Sequence, residues 1–301
     1  MNINNDVKTL KALLGNYPNT LALKQGRVRD PHLAFEFADV ETPHNAFKRV
    51  VRDLEFDVAE LAIATFLTAK AHGKPLVLLP VAVRGKFHHE SIMCRAGEAL
   101  TPAALAGRRV GIRSYSVTTV TWVRGILQNE YGLDLDRVQW VTFEDAHVAE
   151  VREPASCVRA AAGKDMASML LAGELDAAVL AETYLHDPRF QFVISNPEAA
   201  AKEWYQRHRA IPVNHMVVMR QSLLEASPEL AQRVFRLLVD AKNADPATVR
   251  TKDGMDPFPL GVDAMRNSLE LIVQYAAQQG IVPRQYAVDE LFSDVTRVLV
   301  S

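Results

Sequence analysis

The sequence predicts an α/β protein built as two lobes. Three observations lead there. At 301 residues the chain exceeds the size at which a single core keeps growing. Short β-like runs alternate with helical patterns along most of its length, the grammar of parallel sheets rather than of a sandwich. A stretch near residue 60, LEFDVAELAIATFL, is echoed near residue 180 by AGELDAAVLAETYL. In both, an aspartate (Asp57, Asp176) opens a strand that runs into a polar or hydroxyl-bearing turn (Thr65; Glu182 and Thr183).

In order, VKTLKALLG and LAFEFADV read as strands, PHNAFKRVVRDLEF as helical, and DVAELAI and LVLLPVAV as strands again. Gly107 to Ile112 then forms a strand, Val117 to Tyr131 a helix, RVQWVTF a strand, Lys164 to Leu171 a helix and LDAAVLA a strand. The last third is helical. Ser227, Pro228 and Glu229 make a helix start, with a hydroxyl cap, a proline in the first turn and a carboxylate at the positive end of the dipole. LAQRVFRLLVDAK follows with an apolar stripe at helical spacing. A polar, proline-rich stretch, DPATVRTKDGMDPFPLG, separates it from a second helix, VDAMRNSLELIVQYAAQQG.

Composition narrows the function. The chain is 49% hydrophobic and 23% charged with a net charge of −2, which gives no reason to expect nucleic acid or an anionic membrane surface as partner. No apolar run is long enough to span a membrane. MNINNDVKTLKALLGNY lacks the pattern of a secretory signal, so the expected location is cytoplasmic. Cys94 and Cys157 are too few for a disulfide framework and could be bridged or free. G-x-S-x-G, P-loop and G-x-G-x-x-G motifs are absent, leaving serine hydrolases, NTPases and Rossmann dehydrogenases without their chemistry.

The hydroxyl-rich loop after the strand at Gly107 to Ile112 is the first candidate site. Ligands of open parallel sheets collect at the carboxyl ends of strands, where the next helix offers free N–H groups. Arg113, Ser114, Tyr115, Ser116 and Thr118 stand there, and a guanidinium with several O–H donors at a helix start suits a carboxylate or other small anion. The same hydroxyls could instead cap the helix.

These residues also carry a family resemblance. FDVAELAIATFL, FHHESI after LLPVAV, the pattern from Gly111 to Leu127, LLAGELDA, IPVNHMVV, and DPFPLG followed by QGIVPRQYAVDELF occur in order across nearly the whole chain. Together they resemble the 4,5-dihydroxyphthalate decarboxylase family. The resemblance implies a type II periplasmic-binding-protein-like fold with ligand in a cleft between lobes. The lobes are expected at 1–95 plus 212–301 and at 96–211, the latter with the crossing strands. It further implies decarboxylation of a hydroxylated aromatic (di)carboxylic acid, 4,5-dihydroxyphthalate to protocatechuate, with no organic cofactor. Three departures fall in the presumed pocket: His88 stands where the family pattern has arginine, Ala64-Thr65 replaces a serine-rich turn, and Glu90 adds a negative charge next to His89.

That reaction needs a general acid aimed at a ring carbon, an acceptor for a phenol and cations for a carboxylate. Histidine suits the acid role, its reference pKa being about 6.5, and the matching motifs nominate His89 and His215. Glu60, at the end of an apolar strand, could accept a phenolic proton, hold a histidine in its tautomer, or brace the lobe as a buried ion pair. Arg84 and Arg113 are the expected carboxylate clamps, because a guanidinium matches a carboxylate bidentately. Thr65, Tyr17 and Asn214 complete the expected substrate contacts. His88 and His89 would point to opposite faces of an extended strand and so would not share one ion, but His89, His215 and Glu60 could bind zinc if folding brought them together. The rival function is a non-catalytic receptor or sensor for a small aromatic carboxylate, since one fold serves both. A homo-oligomer is possible.

Overall fold

The computed structural model describes residues 7–248 and 254–300 and divides the chain into two units. Residues 1–6 of the N-terminal reading, and 249–253 of the proline-rich stretch, lie outside the described residues. The first unit comprises Met1–Lys86, Val213–Val273 and Tyr286–Ser301; the second comprises Phe87–Pro212 and Gln274–Gln285.

The first unit opens with β1 (Lys8–Leu13), α1 (Pro18–Lys24), β2 (Leu33–Phe37), β3 (Val58–Ala62), α2 (Ile63–Ala71) and β4 (Leu76–Gly85). The second unit contains β5 (Ile92–Arg95), β6 (Arg109–Ile112), α3 (Thr118–Tyr131), β7 (Gln139–Thr142), β8 (Cys157–Arg159), α4 (Met166–Leu171), β9 (Ala177–Val179), β10 (Phe190–Phe192) and α5 (Pro197–His208). The chain then returns to the first unit through β11 (Val213–Arg220), α6 (Gln221–Ala226), α7 (Glu229–Asn243), α8 (Val262–Gln278) and α9 (Asp294–Arg297). The end of α8, from Gln274, belongs with the second unit.

The sheet of the first unit runs in the order β2-β1-β3-β11-β4. β1 pairs in parallel with β2 and β3, whereas β11 lies antiparallel between β3 and β4. One face is sealed by α7, whose Val234, Leu237 and Leu238 join Leu10, Val58, Val217 and Met219 in a single apolar core. Fully burying one such side chain contributes about 1.5–3 kcal/mol, so this stripe fixes which face of β3 and β11 turns inward.

β4 carries Pro80 in its interior, where a ladder donor is lost, and the pairing with β11 is correspondingly irregular. The DPFPLG segment covers that edge: Ala82 N–H donates to Pro259 O (3.1 Å) and Gly261 N–H to Pro80 O (2.9 Å). Buried Lys242 anchors the segment through Asp256 (2.5 Å) and Phe258 O (2.6 Å). A sequence stretch read as an interruption therefore extends the sheet.

The second unit's sheet runs β10-β5-β9-β6-β7-β8, with β6, β7, β8 and β9 parallel and β5 antiparallel to β9 and β10. α4 covers one part of it through Met169 and Leu170 against Met93, Val141 and Ala178.

The echo between residues 60 and 180 has a structural counterpart. Asp57 Oδ2 accepts the Lys11 N–H at 2.8 Å and Asp57 N–H donates to Lys11 O at 2.8 Å. Asp176 repeats this with Arg109, at 2.8 and 2.9 Å. In each unit an aspartate thus locks the start of one parallel strand to its neighbour.

The stretch PHNAFKRVVRDLEF is helical but broken: a 3₁₀ turn over Pro43–Ala46 is followed by a π turn over Arg49–Asp53. It ends at Leu54 in the left-handed region, φ 51°. Val50 and Val51, both buried there, are β-branched and so weak helix formers.

Candidate active site

Register alone brings Glu60 and His215 together. His215 lies opposite Ala62 and Val217 opposite Glu60 across the antiparallel β3–β11 pair, so Glu60 and His215 are diagonal neighbours on one face. On that face they follow Val58 and Val217 out of the apolar core. Glu60 is fully buried and His215 nearly so.

Burial raises a carboxyl's pKa, but here three donors outweigh it and hold Glu60 below its usual range. His215 Nδ1 lies 2.5 Å from Oε1, the Tyr17 hydroxyl donates to the same oxygen at 2.7 Å, and the Gly15 N–H donates to Oε2 at 2.8 Å. An ionised carboxylate can only accept, so Nδ1 carries the proton and Nε2 is left for chemistry. Phe47 sets its ring against the imidazole edge-on, centroids 5.2 Å apart. Tyr17 is raised by its own burial and then by the Glu60 charge, and so remains a phenol.

Arg84 stands opposite His215 on β4, its guanidinium 5.7 Å from the centre of the Tyr17 ring. Asn214 is the extra residue of a bulge, because Val213 pairs with Gly85 and His215 with Arg84. It is buried, and its Oδ1 has no hydrogen-bond partner among the described residues. Thr65 is buried in the first turn of α2. The first unit thus holds Tyr17, Glu60, Thr65, Arg84, Asn214 and His215 of the residues nominated from sequence.

The second unit holds the others. Helix α3 begins after Val117 with no side-chain cap, so the capping alternative for its hydroxyls does not hold among the described residues. Ser114, Ser116 and Thr118 are buried, and the Ser114 hydroxyl has no partner there. An uncapped helix start beside a buried hydroxyl keeps the character of an anion-accepting end.

Tyr115 is committed elsewhere: its hydroxyl donates to Gln279 O at 3.1 Å, and its ring lies 3.5 Å from the Arg124 guanidinium. Arg124, fully buried and lowered to about 10 by that burial, donates to Tyr115 O at 2.5 Å. Arg124 and Tyr115 therefore brace the loop from inside. Arg113 pairs with Glu144 at 3.3 Å.

Gly125, in the middle of α3, is forced by packing, since a Cβ there would overlap the Tyr275 ring. Alanine improves helix propensity by about 1 kcal/mol, whereas overpacking costs about 1–3 kcal/mol. Gly125→Ala is expected to lower the denaturant midpoint; a raised midpoint would show that Tyr275 yields freely.

His89 sits in an aromatic nest, its ring 6.4 Å from Phe87 and 6.3 Å from Trp204, while His88 stacks on Trp122. Burial pushes His89 down to about 4. A base whose folded pKa is depressed contributes stability above its unfolded value of about 6.5 and loses it as pH falls towards 4. Full loss corresponds to on the order of 3 kcal/mol. His89→Phe should therefore flatten the decline in Tm between pH 7 and 4, and an unchanged slope would place the titration elsewhere.

Among the described residues no group of three His, Cys, Asp or Glu side chains is arranged to hold a metal ion, and no helix is long and apolar enough to cross a membrane. Cys94 and Cys157 are unbridged. Sequence reasoning missed the Gly15 N–H and Phe47. The only signal for Gly15 is a glycine between a strand end and a tyrosine.

No protein-family model matches the chain. It is 28% identical over 300 residues to the 4,5-dihydroxyphthalate decarboxylase of Comamonas testosteroni, covering 94% of this chain and 90% of that protein. To the 4,5-dihydroxyphthalate decarboxylase of Pseudomonas putida it is 29% identical over 211 residues, 65% of this chain and 81% of that one. The resemblance read from the motifs is borne out. Among solved structures, the aliphatic sulphonate binding protein SsuA of Escherichia coli superposes with a TM-score of 0.61 at 14% identity, covering 95% of this chain and 97% of that one. The alkanesulfonate-binding protein SsuA of Xanthomonas axonopodis gives 0.60 at 15%, covering 96% and 99%. The desulfurization enzyme DSZB gives 0.55 at 15%, covering 96% and 97%. At such identities these show the fold alone, and it is the expected two-lobed type II periplasmic-binding-protein-like one.

Proposed function

We propose that this relative of the 4,5-dihydroxyphthalate decarboxylases is a carboxy-lyase acting on a hydroxylated aromatic dicarboxylate, converting 4,5-dihydroxyphthalate to protocatechuate and CO₂. The observation that carries the residue assignment is the buried Glu60–His215 pair, 2.5 Å between Oε1 and Nδ1. Such a pair fixes the tautomer and charge that a proton donor needs, whereas ligand binding alone does not require it.

Loss of CO₂ from an aryl carboxylate requires that the departing electron pair have somewhere to go. His215, protonated at Nε2, delivers that proton to the ring carbon bearing the carboxylate, and a ring π pair forms the new C–H bond. The hydroxyl para to that carbon supplies electron density to the resulting cation. The C–C bond then breaks, its pair restores the aromatic ring, and CO₂ leaves. One proton enters and one CO₂ departs, so His215 is reprotonated from solvent at each turnover. Glu60 stabilises the imidazolium before transfer and fixes its orientation. Arg84, opposite His215 on the sheet, suits the carboxylate that is retained.

Chelator-treated protein incubated with 4,5-dihydroxyphthalate, with CO₂ and protocatechuate followed over time, tests the reading. Stoichiometric release of both supports it. Saturable binding of the dicarboxylate without CO₂ would sink it in favour of a receptor.

A further inference from the structure

The loop joining β1 to α1 is drawn shut by one hydroxyl. Thr20, wholly buried, accepts the Tyr17 N–H at 3.0 Å and donates to Gly15 O at 2.7 Å. Closed in this way, three consecutive residues present two donors to one carboxylate: Gly15 N–H to Oε2 and Tyr17 O–H to Oε1. Both oxygens of Glu60 are then held, and the remaining contact on Oε1 is His215 Nδ1. The Tyr17 ring lies folded back over Gly15, in the space a Cβ at position 15 would occupy. A side chain at 15 and the observed ring at 17 are mutually exclusive.

We infer that Gly15, Tyr17 and Thr20 form a positioning loop that sets the orientation and protonation of Glu60, and through it the nitrogen with which His215 works. Tyr17 is then a positioning residue acting through Glu60 rather than a substrate contact. Its effect on rate rests on the decarboxylase reading; its effect on the Glu60–His215 hydrogen bond does not. The charged and titratable groups around Glu60 are His215 from β11, Tyr17 from the loop, Arg84 from β4 beside Tyr17, and Lys24 from α1, whose Nζ donates to Leu14 O at 2.7 Å. Among them Tyr17 is the neutral donor, so removing its hydroxyl leaves the charge count of the site unchanged while making the carboxylate more basic.

The test uses the full chain and the variants Tyr17→Phe, Gly15→Ala, Thr20→Val and Gly15→Ala/Tyr17→Phe. The first readout is the low-field proton resonance of His215 Nδ1, assigned by its loss in His215→Gln. The second is the pH dependence of kcat on 4,5-dihydroxyphthalate. In Tyr17→Phe the resonance should move, kcat should fall about tenfold with KM little changed, and the acid limb of the profile should rise by about one pH unit. Gly15→Ala should reproduce this by expelling the ring, and the double variant should be no worse than Tyr17→Phe. Thr20→Val should give a smaller change of the same kind. A resonance and an acid limb both unmoved in Tyr17→Phe would overturn the inference, whatever happens to Tm. If the wild type turns nothing over but the resonance moves in Tyr17→Phe and Gly15→Ala, the positioning loop stands and the decarboxylase reading falls. Should Gly15→Ala fail to fold, Tyr17→Phe decides alone.

Discussion

His215→Gln is expected to lower kcat on 4,5-dihydroxyphthalate by about 10²–10⁴-fold, the span usually carried by a positioned general acid. Glutamine keeps a donor near the same place but cannot be charged by a proton and give it away. Because the imidazole is fixed on its Nδ1 side by Glu60 at 2.5 Å, the substitution removes the proton carrier while leaving the backbone of β11 undisturbed. KM should change little if the carboxylates are held by Arg84 and other groups rather than by the histidine. Rates measured against wild type at matched pH decide it: a loss below tenfold would pass the acid role to another residue. His89 is a poor candidate for that role, because at about 4 it is neutral at working pH.

Glu60→Gln should be costly twice. An amide has one acceptor oxygen where the carboxylate has two, yet donors approach both sides, so its NH₂ must face either the Gly15 N–H or the Tyr17 and His215 donors. Leaving a buried donor unsatisfied costs about 1–3 kcal/mol. Catalysis should fall on the order of 10²-fold or more, since the imidazolium loses its counter-charge and its fixed tautomer. The pH dependence has a definite sign. A carboxyl whose folded pKa is depressed contributes stability in full above the unfolded value, about 4.3, and loses it as pH falls through the folded one. The Tm gap between wild type and Glu60→Gln should therefore be widest above about pH 5 and close on the acid side. A gap that widened on acidification would mean that Glu60 is protonated in the folded protein.

The strand and helix grammar was legible because it is local. Ser227, Pro228 and Glu229 marked a helix start, and α7 follows from Glu229, but the expected Ser227 hydroxyl cap does not form: among the described residues no side chain caps this end, and Pro228 stands at the cap position. Glu60 was legible too, as a lone carboxylate in an apolar strand. Its partnership with His215 was not, because it depends on the register of two strands 155 residues apart. His88 and His89 share one motif, yet their settings are made by Trp122 and Trp204, which no local pattern connects to them. Tyr115 looked available because it sits in a polar loop; the buried Arg124 that turns it inward lies two helical turns further on, and its burial could not be read from composition. The broken helix over 43–53 shows the reverse error, where the helical reading was right in kind and the winding, a 3₁₀ turn and then a π turn, was not legible.

The return of the chain through β11 has a consequence for synthesis. β1, β2 and β3 are made early, but the strand that closes the other edge of β3 comes only after the residues of the second unit up to Pro212. At about 5–20 residues per second, the separation of 155 positions from Glu60 to His215 delays that closure by roughly 8–30 s. During this interval β3 is an open edge of apolar residues on a nascent chain. Glu60 places a charge on its inward face, and a charge so placed disfavours pairing with a strand from another ribosome's product. The carboxylate that later holds the histidine thus guards the strand while it waits for its neighbour.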